Sequence, residues 1–324
     1  MLISVLLFAV GLVLLIKGGD WFVDGATGIA RRFNLPDIVV GATVVSIGTT
    51  LPEVMVSTTG ALAGSGAMAY GNAIGSIICN TSLIAAISIA VNPGPVNVKS
   101  MKTPAIFFFC AAAIYCLAAY LLGTFPRWLG VVMLSVFVVY MISTVRNGMK
   151  NPDAAVEEEE ESGKPKKLWQ ELLMLVVGAA VIAVGADLLV DHGQIIALEL
   201  GVPETVVALL FVALGTSLPE LVTTITSLKK GRASLGVGNV IGANVFNLVL
   251  VSGVSVTLAP FDVPVENTLL NTGLNLSLVF DIPVMLAVMS LMIFPALAKK
   301  KLSRWQGIAL LCIYAAFCVL QFIL

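Results

Sequence analysis

Gly-Thr-Thr-Leu-Pro-Glu, at residues 48–53, places two hydroxyls, a proline and a carboxylate in the middle of a long apolar run, and Gly-Thr-Ser-Leu-Pro-Glu repeats the pattern at residues 215–220. A charged side chain at membrane depth is costly, and where one occurs it usually belongs to an ion or substrate path. The two motifs therefore predict that Glu53 and Glu220 meet near the centre of a bilayer and hold a metal cation there.

The composition is that of a polytopic membrane protein. Of the 324 residues, 58% are hydrophobic and 11% are charged, and the mean hydropathy is +1.01. Soluble domains average about 45–50% apolar and about 25% charged residues. The net charge of −1 gives no reason to expect a nucleic-acid partner. The apolar N-terminal run lacks the basic region and cleavage site of a signal peptide, so we expect it to be a spanning helix.

Ten segments are long and apolar enough to cross the lipid bilayer, in two sets of five. They are predicted at 2–30, 37–62, 67–92, 103–123 and 127–145, and at 168–197, 204–228, 233–258, 280–298 and 304–324. Five consecutive glutamates, 157–161, separate the sets and belong in solvent. The predicted fold is an all-α membrane protein with a first five-helix repeat at 1–146, an acidic linker at 147–167 and a second five-helix repeat at 168–324.

The two halves are related by an internal duplication. Residues 19–80 align without gaps on residues 186–247, and the prolines, glutamates and asparagines of the motifs coincide. Internal repeats of this kind are typical of secondary transporters. Because each half has five spans, an odd number, the second half should cross the membrane in the opposite direction. We therefore predict two inverted repeats.

The basic residues indicate the orientation. In the ten-helix arrangement, every lysine and arginine except Lys17 and Arg127 falls on one side of the membrane. By the positive-inside rule that side is cytoplasmic. We expect a multi-pass protein of the plasma (inner) membrane with both termini outside and the central acidic loop in the cytoplasm.

The motifs offer oxygen ligands only. Proline has no N–H, so Pro52 and Pro219 should each free a backbone carbonyl four residues earlier and unwind the helix there. Hard cations such as Ca²⁺ and Na⁺ need oxygen donors, and Ca²⁺ takes six to eight, more than one motif supplies. No histidine and cysteine set suitable for zinc or copper is present. The side chains predicted to provide oxygens are Thr49, Thr50, Thr216, Ser217, Glu53 and Glu220.

Two other roles are open for these polar residues. Thr50-x-x-Glu53 and Ser217-x-x-Glu220 also fit a capping box, in which the glutamate only caps a half-helix. The asparagines of the helix after each motif, at 72–80 and 239–247, could serve only to join helices. We favour Asn80 and Asn247 as neutral ligands because they should lie beside the glutamates.

Both motifs, together with Gly-Asn-Ala-Ile-Gly-Ser at 71–76 and Gly-Asn-Val-Ile-Gly-Ala-Asn at 238–244, resemble the two alpha repeats of the cation/calcium exchanger superfamily, in particular its prokaryotic sodium/calcium exchanger branch. The resemblance covers nearly the whole chain. It implies ten helices, with helices 2, 3, 7 and 8 around four ion sites, and a monomer sufficient for transport. It implies electrogenic, alternating-access exchange of Ca²⁺ for Na⁺, without a cofactor. The implied ligands are the side chains of Glu53, Glu220, Thr49, Thr50, Thr216, Ser217, Ser76, Asn80 and Asn247, and the backbone carbonyls of Ser46 and Ala213.

The chain departs from the family pattern in one ligand. Ala243 stands where the pattern has a serine matching Ser76, which removes one ligand of an outer sodium site and leaves the Na⁺ stoichiometry open. Asn247 replaces the aspartate of potassium-dependent relatives, and the Gly-Asn-x-x-Glu of the proton-coupled branch is absent, so K⁺ and H⁺ coupling are less favoured alternatives. A passive cation channel is a further one. An enzyme is disfavoured because no paired nucleophile and base are present.

Overall fold

The computed structural model describes residues 2–33, 35–150, 167–199, 215–264 and 275–323, which are almost entirely helical. Nine helices in these residues are long and apolar enough to cross a membrane. Of the segment predicted at 204–228, the structure describes residues 215–228, which include most of the shorter helix Leu218–Lys229. The helices are α1 (Leu2–Arg32), α2 (Asp37–Leu62), α3 (Gly66–Val91), α4 (Val98–Leu122), α5 (Arg127–Lys150), α6 (Leu168–Glu199), α7 (Leu218–Lys229), α8 (Ala233–Leu258), α9 (Ser277–Lys299) and α10 (Arg304–Ile323).

The helix ends follow local capping signals. The side chain of Asn97 accepts a hydrogen bond of 3.1 Å from the backbone N–H of Ser100, so α4 begins at Val98 rather than at the predicted residue 103. Gly123 has φ of 66° and ends the same helix. The helix α5 continues to Lys150, beyond the predicted residue 145.

The two proline motifs differ in backbone structure. The helix α2 continues through Pro52, so the prediction that the helix unwinds at the first motif is wrong. A π-helical segment, Gly41–Val45, lies upstream instead and carries the irregularity of the hydrogen-bond ladder. In the second motif, Thr216 and Ser217 form a turn before α7, as predicted. Proline is tolerated in the first turn of α7 because no N–H is needed there.

The equivalent helices α1 and α6 pack against each other along their length in opposite directions. A Cβ atom on Gly11 would lie 2.9 Å from the carbonyl oxygen of Gly185, and one on Gly25 would lie 2.7 Å from that of Glu171. Backbones approach this closely only where side chains are absent, as is common between membrane helices. Most large apolar side chains on the remaining faces of α1 and α6 are exposed, as expected for a lipid-facing pair.

The central layer contains α2, α3, α7 and α8. Residues Leu235–Phe246 of α8 are all buried. The helices α2 and α8 run in the same direction, because Gly238 meets Ile38 while Gly242 meets Ala42. Both α3 and α8 change to a π-helix at equivalent residues, Asn80–Ala85 and Asn247–Val251.

Two short antiparallel strand pairs connect loops between the halves. Strand β1 (Gly94–Pro95) pairs with β4 (Lys301–Leu302), and β2 (Thr124–Phe125) pairs with β3 (Phe261–Asp262). The offset that relates the two motifs places β1 on β3. The equivalent strands β1 and β3 therefore each pair with a strand of the opposite half.

Ion pairs join the loop after α7 to α1 and to the start of α2, and join α1 to α6. They gather at the end of the bundle where α7 finishes and α8 begins. Since buried or half-buried pairs resist separation better than exposed ones, they hold this end together. The pairs are Lys230 with Asp20 and Asp24, Arg232 with Asp37, and Arg32 with Glu171.

Candidate cation site

The structure brings the two predicted carboxylates together in the middle of the bundle. Glu53 lies in α2, and Glu220 lies in the first turn of α7. Both side chains have 0% exposure, and their charges interact directly. Thr49 and Thr50 of the first motif lie beside the Glu220 carboxyl group, so the motifs face each other.

The polar groups around these carboxylates are buried without partners. Within the described residues, none of the following atoms has a hydrogen bond: Thr50 Oγ1, Ser217 Oγ, both carboxylate oxygens of Glu53 and of Glu220, and the side-chain oxygen and nitrogen of Asn80 and of Asn247. Buried polar atoms are nearly always paired, and a cluster of exceptions needs a ligand or water to explain it. All but the two amide nitrogens are oxygens able to bind a hard cation.

The capping-box interpretation is wrong for the second motif. Ser217 occupies the N-cap position of α7 but its side chain makes no capping hydrogen bond. In the first motif, Thr50 lies inside a continuous helix, where no N-terminus is present to cap. The hydroxyls and carboxylates are therefore not used to satisfy helix ends.

Two asparagines position the threonine hydroxyls. Thr49 donates its hydroxyl hydrogen to Oδ1 of Asn239 over 3.2 Å, and the equivalent Thr216 donates to Oδ1 of Asn72 over 3.3 Å. A hydroxyl has one hydrogen and two lone pairs. Since the hydrogen is directed to the amide oxygen, the lone pairs of Thr49 and Thr216 remain available to a cation.

Asn72 also joins helices, as one of the two interpretations of the sequence allowed. Its amide nitrogen donates to Ser57 Oγ at 2.7 Å and to the backbone oxygen of Glu53 at 3.3 Å. Sequence reasoning did not assign a role at the site to Asn72 or Asn239. The sequence could have pointed to them, because Asn72 and Asn239 are separated by the same number of residues as Thr49 and Thr216, whose hydroxyls they bind.

The remaining predicted ligands have different positions. Ser76 is buried in α3, four residues before Asn80, where the π-helical segment begins. Ser46 is fully buried, and its hydroxyl oxygen lies 2.8 Å from the carbonyl oxygen of Gly41 and 2.9 Å from that of Asn239, so its single hydrogen is shared between these two acceptors. Ala243, at the position matching Ser76, is buried and supplies no oxygen side chain. Ala213 lies outside the described residues.

The donor set fits a hard cation. In the described residues no three histidine, cysteine, aspartate or glutamate side chains lie close enough to form a metal cluster. The site instead combines two carboxylates with neutral hydroxyl and amide oxygens. Two negative charges balance one divalent cation, and the neutral oxygens complete a shell of six to eight. The same oxygens also suit Na⁺.

A single family profile matches the chain twice. The family described as "Sodium/calcium exchanger protein" matches residues 3–145 and 171–323, one match in each half. The uncharacterized membrane protein MJ0091 of Methanocaldococcus jannaschii is 34% identical over 310 residues, covering 95% of this chain and 94% of its own length. The sodium/calcium exchanger MaX1 of Methanosarcina acetivorans is 29% identical over 359 residues, covering 99% of each.

The fold is similar to that of solved exchangers. The structure of the sodium-calcium exchanger NCX_Mj soaked with 2.5 mM Na⁺ and 10 mM Sr²⁺ superposes with a TM-score of 0.79 at 33% sequence identity, covering 97% of each chain.

Proposed function

Because the chain belongs to the sodium/calcium exchanger protein family, we propose that it is a secondary antiporter that exchanges Ca²⁺ for Na⁺ across a membrane by alternating access. The observation that carries this proposal is the pair of fully buried, unpaired carboxylates of Glu53 and Glu220, surrounded by oxygens without hydrogen bonds. Sodium/calcium exchangers and a putative antiporter are among the relatives of known sequence.

Ca²⁺ and Na⁺ are the substrates, and they compete for one group of oxygens. One Ca²⁺ neutralises both carboxylates, whereas more than one Na⁺ is needed for the same effect. Exchange is electrogenic when more than two Na⁺ replace each Ca²⁺. The proposed ligands are the side chains of Glu53, Glu220, Thr49, Thr50, Thr216, Ser217, Ser76, Asn80 and Asn247 and the carbonyls of Ser46 and Ala213.

The architecture we propose is ten membrane helices in two inverted five-helix repeats. Support comes from the double match to one family profile, from the opposite directions of α1 and α6, and from the strand pairs exchanged between the halves. The reciprocal bonds of Thr49 with Asn239 and Thr216 with Asn72 follow the same relation. A monomer contains the entire group of ligands and suffices for transport.

The orientation we propose has both termini outside the plasma membrane and the acidic loop in the cytoplasm. It rests on the location of the basic residues on one side. Fusion of a reporter that is active only outside the cell to the C-terminus tests it. Activity of that reporter supports the orientation, whereas activity of a cytoplasm-specific reporter at the same place refutes it.

The function is tested by Ca²⁺ flux into proteoliposomes preloaded with Na⁺ and diluted into Na⁺, K⁺ or choline at clamped membrane potential. We expect uptake only when an outward Na⁺ gradient is present, and no uptake with Glu53→Gln or Glu220→Gln. Uptake that follows pH without Na⁺ would support H⁺ coupling. A requirement for K⁺ would support the potassium-dependent alternative, and uptake without any counter-ion would indicate a channel.

A further inference from the structure

A stripe of three hydroxyls continues along α7 from the candidate cation site. Thr223, Thr224 and Ser227 follow Glu220 by three, four and seven residues, which places all four side chains on one face of the helix. The three hydroxyl residues have exposures of 0%, 2% and 0%. With a helical rise of ~1.5 Å per residue, the stripe covers about 10 Å between Glu220 and Ser227.

These hydroxyls have no hydrogen-bond partner within the described residues. A serine or threonine in a helix ordinarily satisfies itself on the carbonyl four residues earlier. Other residues of this chain do so, for example Thr43 on Val39 at 2.7 Å and Ser255 on Val251 at 2.9 Å. The hydroxyls of the stripe are therefore not held by their own helix and remain available to a ligand.

The stripe faces the interior of the bundle. Thr224 packs against Gly236 of α8, whereas Val222 and Thr226 pack against Gly19 of α1. The same helix also packs against the second half of α3. The amide nitrogen of Asn239 in α8 is likewise buried without a partner. Because α7 ends at Lys229 and α8 begins at Ala233, the contact of Thr224 with Gly236 places the stripe on the side of Glu220 that leads to the basic end of the bundle.

The equivalent part of the first half does not have this stripe. The residues matching Thr223, Thr224 and Ser227 are Val56, Ser57 and Gly60. The single hydroxyl among these three accepts a hydrogen bond of 2.7 Å from the amide of Asn72. The two repeats therefore differ in this region, although they agree in the motifs themselves.

We propose that Thr223, Thr224 and Ser227, which lie within about 6 Å of one another along α7, form a second binding station for Na⁺ between Glu220 and the basic end of the bundle. The proposal rests on the proposed exchange function and on the orientation that makes this end cytoplasmic. The three hydroxyls are neutral, and the carboxylate of Glu220, one turn further along α7, attracts a single positive charge towards them. Ca²⁺ requires more oxygens and more negative charge than the stripe provides. The station therefore holds partly hydrated Na⁺ as it enters or leaves on the cytoplasmic side.

The test compares Na⁺ titrations from the two sides of the membrane. In inverted vesicles preloaded with Ca²⁺, added Na⁺ reaches the cytoplasmic face, and in right-side-out vesicles it reaches the opposite face. We expect Thr223→Val and Ser227→Ala to raise the half-saturating Na⁺ concentration by about three- to tenfold in inverted vesicles, the effect of losing one neutral oxygen contact. In right-side-out vesicles the value should not change.

Thr226→Val is the matched control, because Thr226 is on the same helix but faces α1. Thr223→Ser keeps the hydroxyl and should behave as the wild type. Equilibrium binding of ⁴⁵Ca²⁺ to the purified variants reports on folding and on the central site, and it should be unchanged.

The outcomes separate this proposal from the proposed function. If the wild type shows Na⁺-driven exchange and Thr223→Val and Ser227→Ala have its half-saturating Na⁺ concentration in inverted vesicles, the station is refuted and the proposed exchange function stands. Equal losses of Na⁺ and Ca²⁺ affinity would also overturn it, since the stripe would then only support the central site. Absence of Na⁺-driven flux in the wild type would refute the proposed function itself.

Discussion

Replacing Glu53 by glutamine should raise the melting temperature of the ion-free protein and remove most of the stabilisation that Ca²⁺ provides. The Glu53 carboxylate is fully buried, unpaired, and repelled by the Glu220 carboxylate. An amide of the same shape carries no charge and offers N–H donors to the Glu220 oxygens. The substitution therefore stabilises the ion-free protein and, through the same loss of charge, weakens the binding of Ca²⁺.

The magnitudes follow from these two effects. An unsatisfied buried polar group costs about 1–3 kcal/mol, and 1 kcal/mol changes the melting temperature of a chain of this size by about 1–2 °C. Removing one charge from a buried pair costs about 3–5 kcal/mol, which corresponds to roughly a 10²- to 4 × 10³-fold weaker Ca²⁺ affinity. At 100 times the wild-type Kd, Ca²⁺ stabilises the wild type by about 2.7 kcal/mol. The variant should keep less than about 0.5 kcal/mol of that.

The assay is thermal unfolding of the purified protein in detergent, with chelator and with Ca²⁺. Glu171→Gln is the matched control, because Glu171 is a carboxylate of 6% exposure that is paired with Arg32 at 2.9 Å. Its loss should lower the ion-free stability by about 1 kcal/mol, since Arg32 is partly exposed, and leave the Ca²⁺ response unchanged. The reasoning is refuted if Glu53→Gln lowers the ion-free melting temperature and still responds fully to Ca²⁺.

Three further substitutions test other parts of the structure. Ala243→Ser should restore a missing oxygen and lower the half-saturating Na⁺ concentration by about three- to tenfold in flux titrations; no change would show that position 243 does not contact Na⁺. Asn239→Leu should weaken Ca²⁺ binding about tenfold in ⁴⁵Ca²⁺ titrations, because the Thr49 hydroxyl loses its acceptor; wild-type affinity would contradict the positioning role. Gly178→Val should separate α6 from α1 and lower the free energy of unfolding by about 1–3 kcal/mol, because its Cβ atom would lie 2.6 Å from the backbone of α1. Gly94→Ala is the control, because its Cβ atom would meet nothing within 4 Å, and it should melt at the wild-type temperature.

The helices were predictable because apolar length determines where a chain can cross a bilayer. The segments predicted at 37–62 and 233–258 coincide with α2 and α8. Larger errors occurred where a local side chain decides the boundary. At Asn97 the cap starts α4 five residues before the apolar run itself becomes continuous.

The backbone irregularities were not predictable from the motifs. A proline in a helix predicts a break, yet α2 passes through Pro52 without one. The residues of the π-helical segments at Asn80 and Asn247 have no distinctive composition that would have predicted them. The contact of Thr49 with Asn239 likewise depends on how closely α2 and α8 pack, which the order of the spans does not specify.

The burial of the paired carboxylates also gives a physical reason for obligatory exchange. A bare carboxylate away from water costs several kcal/mol even after relaxation, and the site contains two of them with no hydrogen bonds to offset that cost. Each ~1.4 kcal/mol added to a barrier slows a step about tenfold. A conformational change with the site free of cations would therefore be much slower than one with Ca²⁺ or Na⁺ bound. Because the empty protein returns so slowly, inward and outward movements must each carry a cation, and the flux of one substrate is coupled to that of the other.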